Sequence, residues 1–377
     1  MNALAKILAR RIALQGPITI ADYMAEALGH PKHGYYRVRN AFGADGDFIT
    51  APDISQMFGE LIGLWCVEVW DRIGRPAPFN LVELGPGRGA LMSDALRAAA
   101  VVPEFRDAAA LHLVETSQRL RQVQRDALAQ RDIGWRDVSW HNGFDQLPDG
   151  PCLIVANEFL DALPAHQFEC TPQGWRERLV GLSKDGDSLQ LALAPGPTPA
   201  LSLSPTGAPA GLDPAGLGND DIGAIREFQP TAITLTRAIA DRIGQAGGAA
   251  LIIDYGYDGG AGDTLQAVRK HAFHDVLQTP GEADLTVHVD FAALRHAIGS
   301  AAQSFGPIGQ GEFLSELGIA VRAQMLMKSA SPAQAKDIAT AHHRLIDADE
   351  MGTLFKVFGV APNGAAALPG FDQEVAP

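Results

Sequence analysis

The chain has 377 residues, 46% of them hydrophobic and 20% charged, with a mean hydropathy near zero. That composition can bury a sizeable core and excludes wholesale disorder, while a net charge of −14 without a basic block argues against a general nucleic-acid or anionic-membrane binder. Length sets a prior of about two to three domains, or one large α/β core carrying an insert.

Cys66, Cys152 and Cys170 lack C-x-x-C spacing, which disfavours a disulfide scaffold and a zinc cluster and suits a reducing compartment. No metal site is expected. No uncharged apolar run reaches the roughly 18 residues of a membrane span, so no membrane insertion and a cytoplasmic location are expected. Residues 1–20 contain Lys6, Arg10 and Arg11 but no acid, a faint hint of a transit peptide. Leu4, Ile7, Leu8 and Ile12 form a helical stripe there, which favours an ordinary first helix.

In chain order, a helix is predicted over 19–28 with Thr19 as its cap. A turn-rich stretch follows, containing Tyr35-Tyr36 and Gly46-Asp47-Phe48, and then an apolar helix from Ser55 to Trp70. From residue 79 the pattern changes. Strands are predicted at Phe79–Leu84, Leu111–Glu115, Val138–Trp140 and Cys152–Ala156, with helices at Ala90–Val101 and Gln118–Gln130 between the first three. This alternation implies a parallel sheet covered on both faces.

Ala165–Thr171, Gly174–Ser183 and Ser188–Ala194 read as a β-meander with turns at Gln173-Gly174 and Asp185-Gly186. Residues 194–217, with six prolines and Asp213 as their single charge, read as a surface loop. A helix near 230–245 precedes a fifth buried strand, Ala249–Tyr255. A helix near 290–299, a strand near 302–308, helices near 311–328 and 332–345 and a strand at Leu354–Val360 close the chain.

The most informative stretch is Glu83-Leu84-Gly85-Pro86-Gly87-Arg88-Gly89-Ala90, where a strand turns through three glycines into a helix. Such a turn brings backbone close to a ligand and aims a helix N-terminus at it. Glu115, at the end of the second strand, suits the two hydroxyls of a ribose as a bidentate acceptor. Gly85-x-Gly87-x-x-Ala90 also satisfies a dinucleotide fingerprint, so an NAD- or FAD-dependent oxidoreductase is a rival. Glu83 argues against a pyrophosphate, which a carboxylate repels. It favours S-adenosyl-L-methionine, which has no phosphate and carries a sulfonium and an amino group.

At the end of the fourth strand, Asn157, Glu158 and Asp161 cluster where open α/β sheets place their ligands. Glu158 and Asp161 are candidates to flank an acceptor nitrogen, with the Asn157 amide hydrogen-bonding beside them. The bland alternative makes Asn157 a turn residue and Asp161 a helix cap. Arginine is the demanding acceptor, because its guanidinium stays protonated. Paired carboxylates can grip it and fix one nitrogen in line with a methyl group. An acidic chain also suits a basic peptide.

Many ordered motifs carry a family resemblance across nearly the whole chain. They include Gly16-Pro17-Ile18-Thr19, His30-Pro31 with Gly34-Tyr35-Tyr36, Gly46-Asp47-Phe48-Ile49-Thr50, Ser55-Gln56-Met57-Phe58-Gly59-Glu60 and the glycine turn. Asn157–Pro164, Asp254-Tyr255-Gly256, Asp284-Leu285-Thr286 with His288-Val289-Asp290-Phe291, Gly311-Glu312-Phe313-Leu314 and Met351–Val357 continue the series. The chain thus resembles the MidA-like S-adenosylmethionine-dependent methyltransferases, a family with a mitochondrial arginine-dimethylating member in complex I assembly. Ala51 and Asp53 stand where that family usually has Ser and Glu, and Asp263 and Val268 where it has Gly and Tyr.

The resemblance implies an α/β fold, a class I methyltransferase (Rossmann-like) sheet with a helical N-terminal cover and the antiparallel β insert. The expected division is a cover at 1–75, core at 76–164, insert at 165–228 and the rest of the core at 229–377. It also implies a protein partner, an arginine on a respiratory complex I subunit or a similar protein; the acidic balance separately disfavours a nucleic-acid partner. Glu83, Gly85, Gly87, Gly89 and Glu115 would contact the cofactor, and Asn142-Gly143-Phe144-Asp145 lies where this fold usually places adenine contacts, with a simple turn as the alternative. Tyr35, Tyr36 and Asp47 are candidates to close the cover, with a packed aromatic pair as the alternative.

His288 is a candidate proton acceptor on a second wall, set against a plain strand with Asp290 as a helix cap. His271–Asp275 reads as a polar loop, and Arg119, Arg121 and Arg125 as a solvated helix face. A non-catalytic assembly factor that binds the cofactor remains a further alternative.

Overall fold

A computed structural model of the chain describes residues 1–38, 49–129, 138–202 and 222–371. Asp47, with Gly46 and Phe48, and most of the proline-rich stretch lie outside the described residues. The chain divides into two compact units.

The larger unit comprises Ile49–Leu160, Leu235–Gly256 and Arg295–Pro377. Its strands are β1 (Phe79–Leu84), β2 (Ala109–Val114), β3 (Val138–His141), β4 (Cys152–Asn157), β5 (Gly248–Tyr257), β6 (Gln303–Gly309) and β7 (Phe355–Ala361). They run in the order β3-β2-β1-β4-β5-β7-β6. The first five strands pair in parallel, and β7 is antiparallel to both β5 and β6. A dinucleotide-binding sheet has the order 3-2-1-4-5-6 throughout in parallel. The antiparallel β7 between β5 and β6 is instead the expected class I methyltransferase arrangement.

Every residue of β1 and β4 is buried, as expected of central strands covered on both faces. The helix Gln56–Arg72 packs on helix Ala90–Ala99 at backbone distance: a Cβ at Gly63 would lie 2.3 Å from the Ala95 carbonyl oxygen. Phe58, Trp65, Phe79, Phe105 and Phe313 fill the core of this unit. β1 and β4 are neighbours from which the chain proceeds to opposite edges, and the crevice at that switch point is where such sheets bind ligands. The single helix expected over 311–328 is two, Gln310–Glu316 and Ile319–Met327, because Gly318 at φ +84° turns left-handed between them.

The smaller unit comprises Met1–Phe48, Asp161–Thr234 and Tyr257–Leu294. Its helix Ala3–Gln15 buries Leu4, Leu8 and Ile12, whereas Ile7 of the predicted stripe is 40% exposed. Thr19 caps the helix Ile20–Gly29 by accepting the Asp22 N–H at 2.9 Å. The predicted meander forms from His166–Thr171, Gly174–Leu182 and Leu189–Leu193, joined by Ile225–Phe228 and Ile18–Thr19.

A three-stranded sheet of Ala272–His274, Gln266–Arg269 and Asp284–Thr286 corrects the polar loop expected over 271–275. Its register pairs Val268 with both Phe273 and Asp284, pairings that no local periodicity announces. Among the described residues no helix is long and apolar enough to cross a membrane.

Candidate cofactor and acceptor site

The glycine turn leaves the carboxyl end of β1 with Gly85, Gly87 and Gly89 at φ +64°, +51° and +80°. All three are left-handed, so side chains there would be strained. A Cβ at Gly85 would also lie 2.4 Å from the Phe159 ring, so glycine lets the turn lie against the loop that follows β4. The Gly85 N–H donates to the Val114 carbonyl at 3.0 Å and the Gly89 N–H to the Pro86 carbonyl at 2.7 Å. Helix Ala90–Ala99 then starts directly from Gly89.

Glu83 is 3% exposed, and its Oε2 has no hydrogen-bond partner among the described residues. Burial pushes its carboxyl up to about 8, and the buried Cys66 thiol beside it is pushed up to about 12 by burial and by the Glu83 charge. A buried acceptor without a donor costs about 1–3 kcal/mol. A cationic ligand group donating to Oε2 relieves that cost and draws the carboxyl back to its ionised form. The residues present therefore fit the amino end of S-adenosyl-L-methionine.

Glu115 follows β2. Its Oε1 accepts the Ser117 N–H at 2.6 Å and its Oε2 the Gln124 amide at 3.4 Å. Burial still raises its pKa, against these hydrogen bonds. Two groups on helix Gln118–Ala129 complete the arrangement, and neither was evident from motifs. Arg121, expected on a solvated face, is 8% exposed. It donates Nε and Nη2 to the Glu115 carbonyl at 2.8 and 2.5 Å, and Nη2 to Asn142 Oδ1 at 2.7 Å.

Gln124 is fully buried and donates to the Gly87 carbonyl at 2.8 Å. The available signal was spacing: Leu120, Arg121 and Gln124 share the buried stripe of this helix, where a polar residue needs a buried partner. Arg119 and Arg125 are exposed as expected, with the Arg125 guanidinium 4.5 Å over the Trp140 ring. Beyond β3, the Asn142 N–H donates to Gln146 Oε1 at 2.9 Å, and the Arg242 guanidinium lies 5.4 Å over the Phe144 ring.

At the end of β4, Asn157 is 8% exposed and its Oδ1 has no hydrogen-bond partner among the described residues. Glu158 adopts φ +49°, a left-handed conformation unusual for a residue with a side chain. Its N–H donates to the Ile253 carbonyl at 2.9 Å, and its Oε1 accepts the Ala51 N–H at 2.9 Å and the Asn157 amide at 3.1 Å. Asp254, 1% exposed on β5, accepts the N–H groups of Phe159 and Leu160 on one oxygen at 3.1 and 2.9 Å. Its other oxygen takes the Tyr255 N–H at 3.0 Å. Asp254 was visible beforehand only within Asp254-Tyr255-Gly256.

The larger unit thus gathers Glu83, Gly85, Gly87, Gly89, Glu115, Asn142, Phe144, Asn157 and Glu158 at the carboxyl ends of four adjacent strands. Asp161 and His288 belong to the smaller unit. Asp161 is 5% exposed, and its carbonyl accepts the Val287 N–H at 3.0 Å. The Tyr36 hydroxyl donates to Asp284 Oδ1 at 2.8 Å, and burial, then the Asp284 and Asp161 charges, raise its pKa well above the usual phenol. Tyr35 is buried and packs edge-to-face on Tyr36 at 5.2 Å, the packed aromatic pair among the two alternatives.

His288 is half-buried, and burial, which disfavours the charged ring, lowers its pKa. Asp290 Oδ1 accepts the Ala292 and Ala293 N–H groups at 3.0 and 3.2 Å, the helix-cap arrangement.

A family model described as “Putative S-adenosyl-L-methionine-dependent methyltransferase” matches residues 61–308. The chain is 38% identical over 378 residues to the mitochondrial protein arginine methyltransferase NDUFAF7 of Danio rerio, covering 95% of this chain and 87% of that protein. Against its Mus musculus counterpart it is 39% identical over 385 residues, with 97% and 85% covered. Among solved structures, a COG1565 superfamily member from Burkholderia thailandensis bound to S-adenosyl-homocysteine superposes with a TM-score of 0.83. It is 29% identical and covers 98% of this chain and 95% of that one.

Proposed function

The chain belongs to this family of S-adenosylmethionine-dependent methyltransferases, and from that premise we propose that it methylates arginine side chains of a protein. The cofactor is S-adenosyl-L-methionine, which supplies an electrophilic methyl group on a cationic sulfonium. Glu83 would hold the cofactor's ammonium on its buried Oε2, which has no hydrogen-bond partner among the described residues, the observation that carries the cofactor assignment. Glu115 accepts the ribose hydroxyls, the turn Gly85-Pro86-Gly87-Arg88-Gly89 gives close backbone approach, and Asn142 and Phe144 border the adenine.

The acceptor half rests on the end of β4. Glu158 presents a carboxylate held at a fixed angle by the Ala51 N–H and the Asn157 amide. Such a group can orient a guanidinium and take the proton that the nitrogen must lose as it is methylated. Positioning of this kind can supply roughly 7–11 kcal/mol of a barrier. Within the smaller unit by itself, the Asp161 and Asp284 charges act on the buried Tyr36 phenol, a group of carboxylates that can grip a cation. The mitochondrial relatives named as protein arginine methyltransferases support arginine as the acceptor. The narrower acceptor is an arginine on a respiratory complex I subunit, and the three buried thiols suit a reducing compartment such as the cytoplasm.

Calorimetric titration with S-adenosylhomocysteine, NAD and FAD tests the cofactor, with Gly87→Val as control. Micromolar S-adenosylhomocysteine binding, lost in the variant, is expected, and binding of NAD or FAD alone overturns the assignment. Transfer of a labelled methyl group to protein, followed by acid hydrolysis, tests the acceptor. The label is expected in methylarginine; label confined to another residue overturns it.

A further inference from the structure

Three segments on the cofactor side of the sheet converge on Gln124. Its Nε2 donates to the Gly87 carbonyl at 2.8 Å and to Glu115 Oε2 at 3.4 Å, while its Oε1 accepts the Trp140 indole N–H at 2.8 Å. It therefore ties the glycine turn after β1, the acid after β2 and strand β3 together. The residue is fully buried, and its Cα and Cγ lie 3.5 Å from where a Cβ on Gly89 would stand, so it sits directly under the turn.

Only a carboxamide meets all three demands. A carboxylate at this position would face the Gly87 carbonyl and the Glu115 carboxylate with acceptors only, and an apolar side chain would take a partner from the Gly87 carbonyl, Glu115 Oε2 and the Trp140 N–H alike.

The effect on Glu115 is specific. Its Oε1 accepts the Ser117 N–H at 2.6 Å and its Oε2 the Gln124 amide at 3.4 Å, with Thr116 adding a backbone hydrogen bond, so donors constrain the carboxylate's orientation. Burial works against ionisation there, and donated hydrogen bonds favour the charged form that can accept two hydroxyls. We infer that Gln124 is a positioning residue for the cofactor's ribose, holding the Glu115 carboxylate toward the two ribose hydroxyls. The inference rests on the reading of Glu115 as the ribose acceptor.

The test is calorimetric titration of the full chain with S-adenosylhomocysteine and with its 2′,3′-dideoxyribose analogue, alongside melting of the ligand-free protein. Gln124→Met keeps length and loses the hydrogen bonds. It is expected to weaken S-adenosylhomocysteine by about tenfold or more while changing the analogue by less than about threefold, since the analogue has no hydroxyls for Glu115 to accept. Equal loss on both ligands, or no loss on either, overturns the positioning role. Should Gln124→Met fail to fold, Trp140→Phe keeps an aromatic ring under Arg125 while removing the donor to Oε1, and is expected to give a smaller loss of the same ribose-selective kind. Failure of the unaltered protein to bind S-adenosylhomocysteine overturns the cofactor assignment itself, a result separable from selective or unselective loss in the variants.

Discussion

Two sharp turns meet at the carboxyl ends of β1 and β4, and they are held in opposite ways. The turn after β1 puts glycines at its left-handed positions, Gly85, Gly87 and Gly89. The loop after β4 puts a glutamate, Glu158, at φ +49° and holds it from outside through Asp254 and the Ile253 carbonyl. A glycine removes the steric cost of the left-handed conformation. A glutamate bears it, and such conformations persist where surrounding structure over-determines them, commonly at functional positions. The glycine turn thus carries its geometry in its own residues, whereas the loop after β4 borrows geometry from a strand almost a hundred residues downstream.

The contrast can be broken most forcefully at Gly85. Gly85→Val sets a branched side chain at φ +64° and a Cβ against Phe159, so S-adenosylhomocysteine affinity should fall by roughly a hundredfold or more. Near-normal titration of this variant would show that the turn tolerates a side chain and that glycine is not what shapes it.

Next in size is pH. With Glu83 raised to about 8 in the ligand-free protein, its carboxyl is protonated at neutral pH, and a cationic ligand group must displace that proton. Affinity for S-adenosylhomocysteine should therefore rise with pH, by up to about tenfold per unit below pH 8, and level off above it. The stability of the ligand-free protein has the opposite trend: a raised carboxyl pKa helps folding below the unfolded value and that help is lost as pH climbs through about 8. The thermal shift on adding ligand should grow over the same interval, and Glu83→Gln should flatten it; a pH-independent shift in the unaltered protein would remove Glu83 from the cofactor's ammonium.

Asp254 sharpens the other half of the comparison. Asp254→Asn preserves shape while losing the charge that accepts the Phe159 and Leu160 N–H groups. Hydrogen bonds to a charged group contribute about 1.5–3 kcal/mol each. Methyl transfer should fall by about tenfold or more with S-adenosylhomocysteine affinity within about threefold. Equal loss of both would mean that Asp254 supports the whole site, not the loop after β4.

The smallest effect isolates the strain. Comparing Glu158→Gly with Glu158→Ala, both without the carboxylate, the glycine variant should be more stable by about 1 kcal/mol in denaturant melts. An alanine variant of equal or greater stability would mean that the left-handed conformation at this position carries no cost.

Much of this protein was legible in one dimension. Phe79–Leu84 occurs at the predicted bounds, and Val138–His141 and Cys152–Asn157 exceed theirs by one residue each. Buried parallel strands write themselves as short apolar runs ending in turn residues, and Gly85-Pro86-Gly87-Arg88-Gly89 marks where one opens onto a ligand. The motif order along the chain was enough to reach the family, the cofactor and the class I sheet.

Other features depended on partners distant in sequence. Arg121 reads as one more charge on a solvated helix until Asn142 and the Glu115 carbonyl are seen around it. Gln124 carries no motif, and its role exists only because β1, β2 and β3 bring Gly87, Glu115 and Trp140 around one helix. The strand Ala272–His274 forms because Gln266–Arg269 lies beside it, and Gly318 divides a helix that apolar periodicity drew as continuous.

Sequence by itself determined what depends on neighbours along the chain: strand and helix periods, the left-handed glycines, the caps, and the acid ahead of the turn. Tertiary structure alone decided which polar side chains are buried and who satisfies them, because desolvating a charge or an amide is costly unless folding delivers its partner. Glu83 Oε2 without a donor among the described residues, Gln124 with three partners and Asp254 beneath the loop of Glu158 are outcomes of that kind.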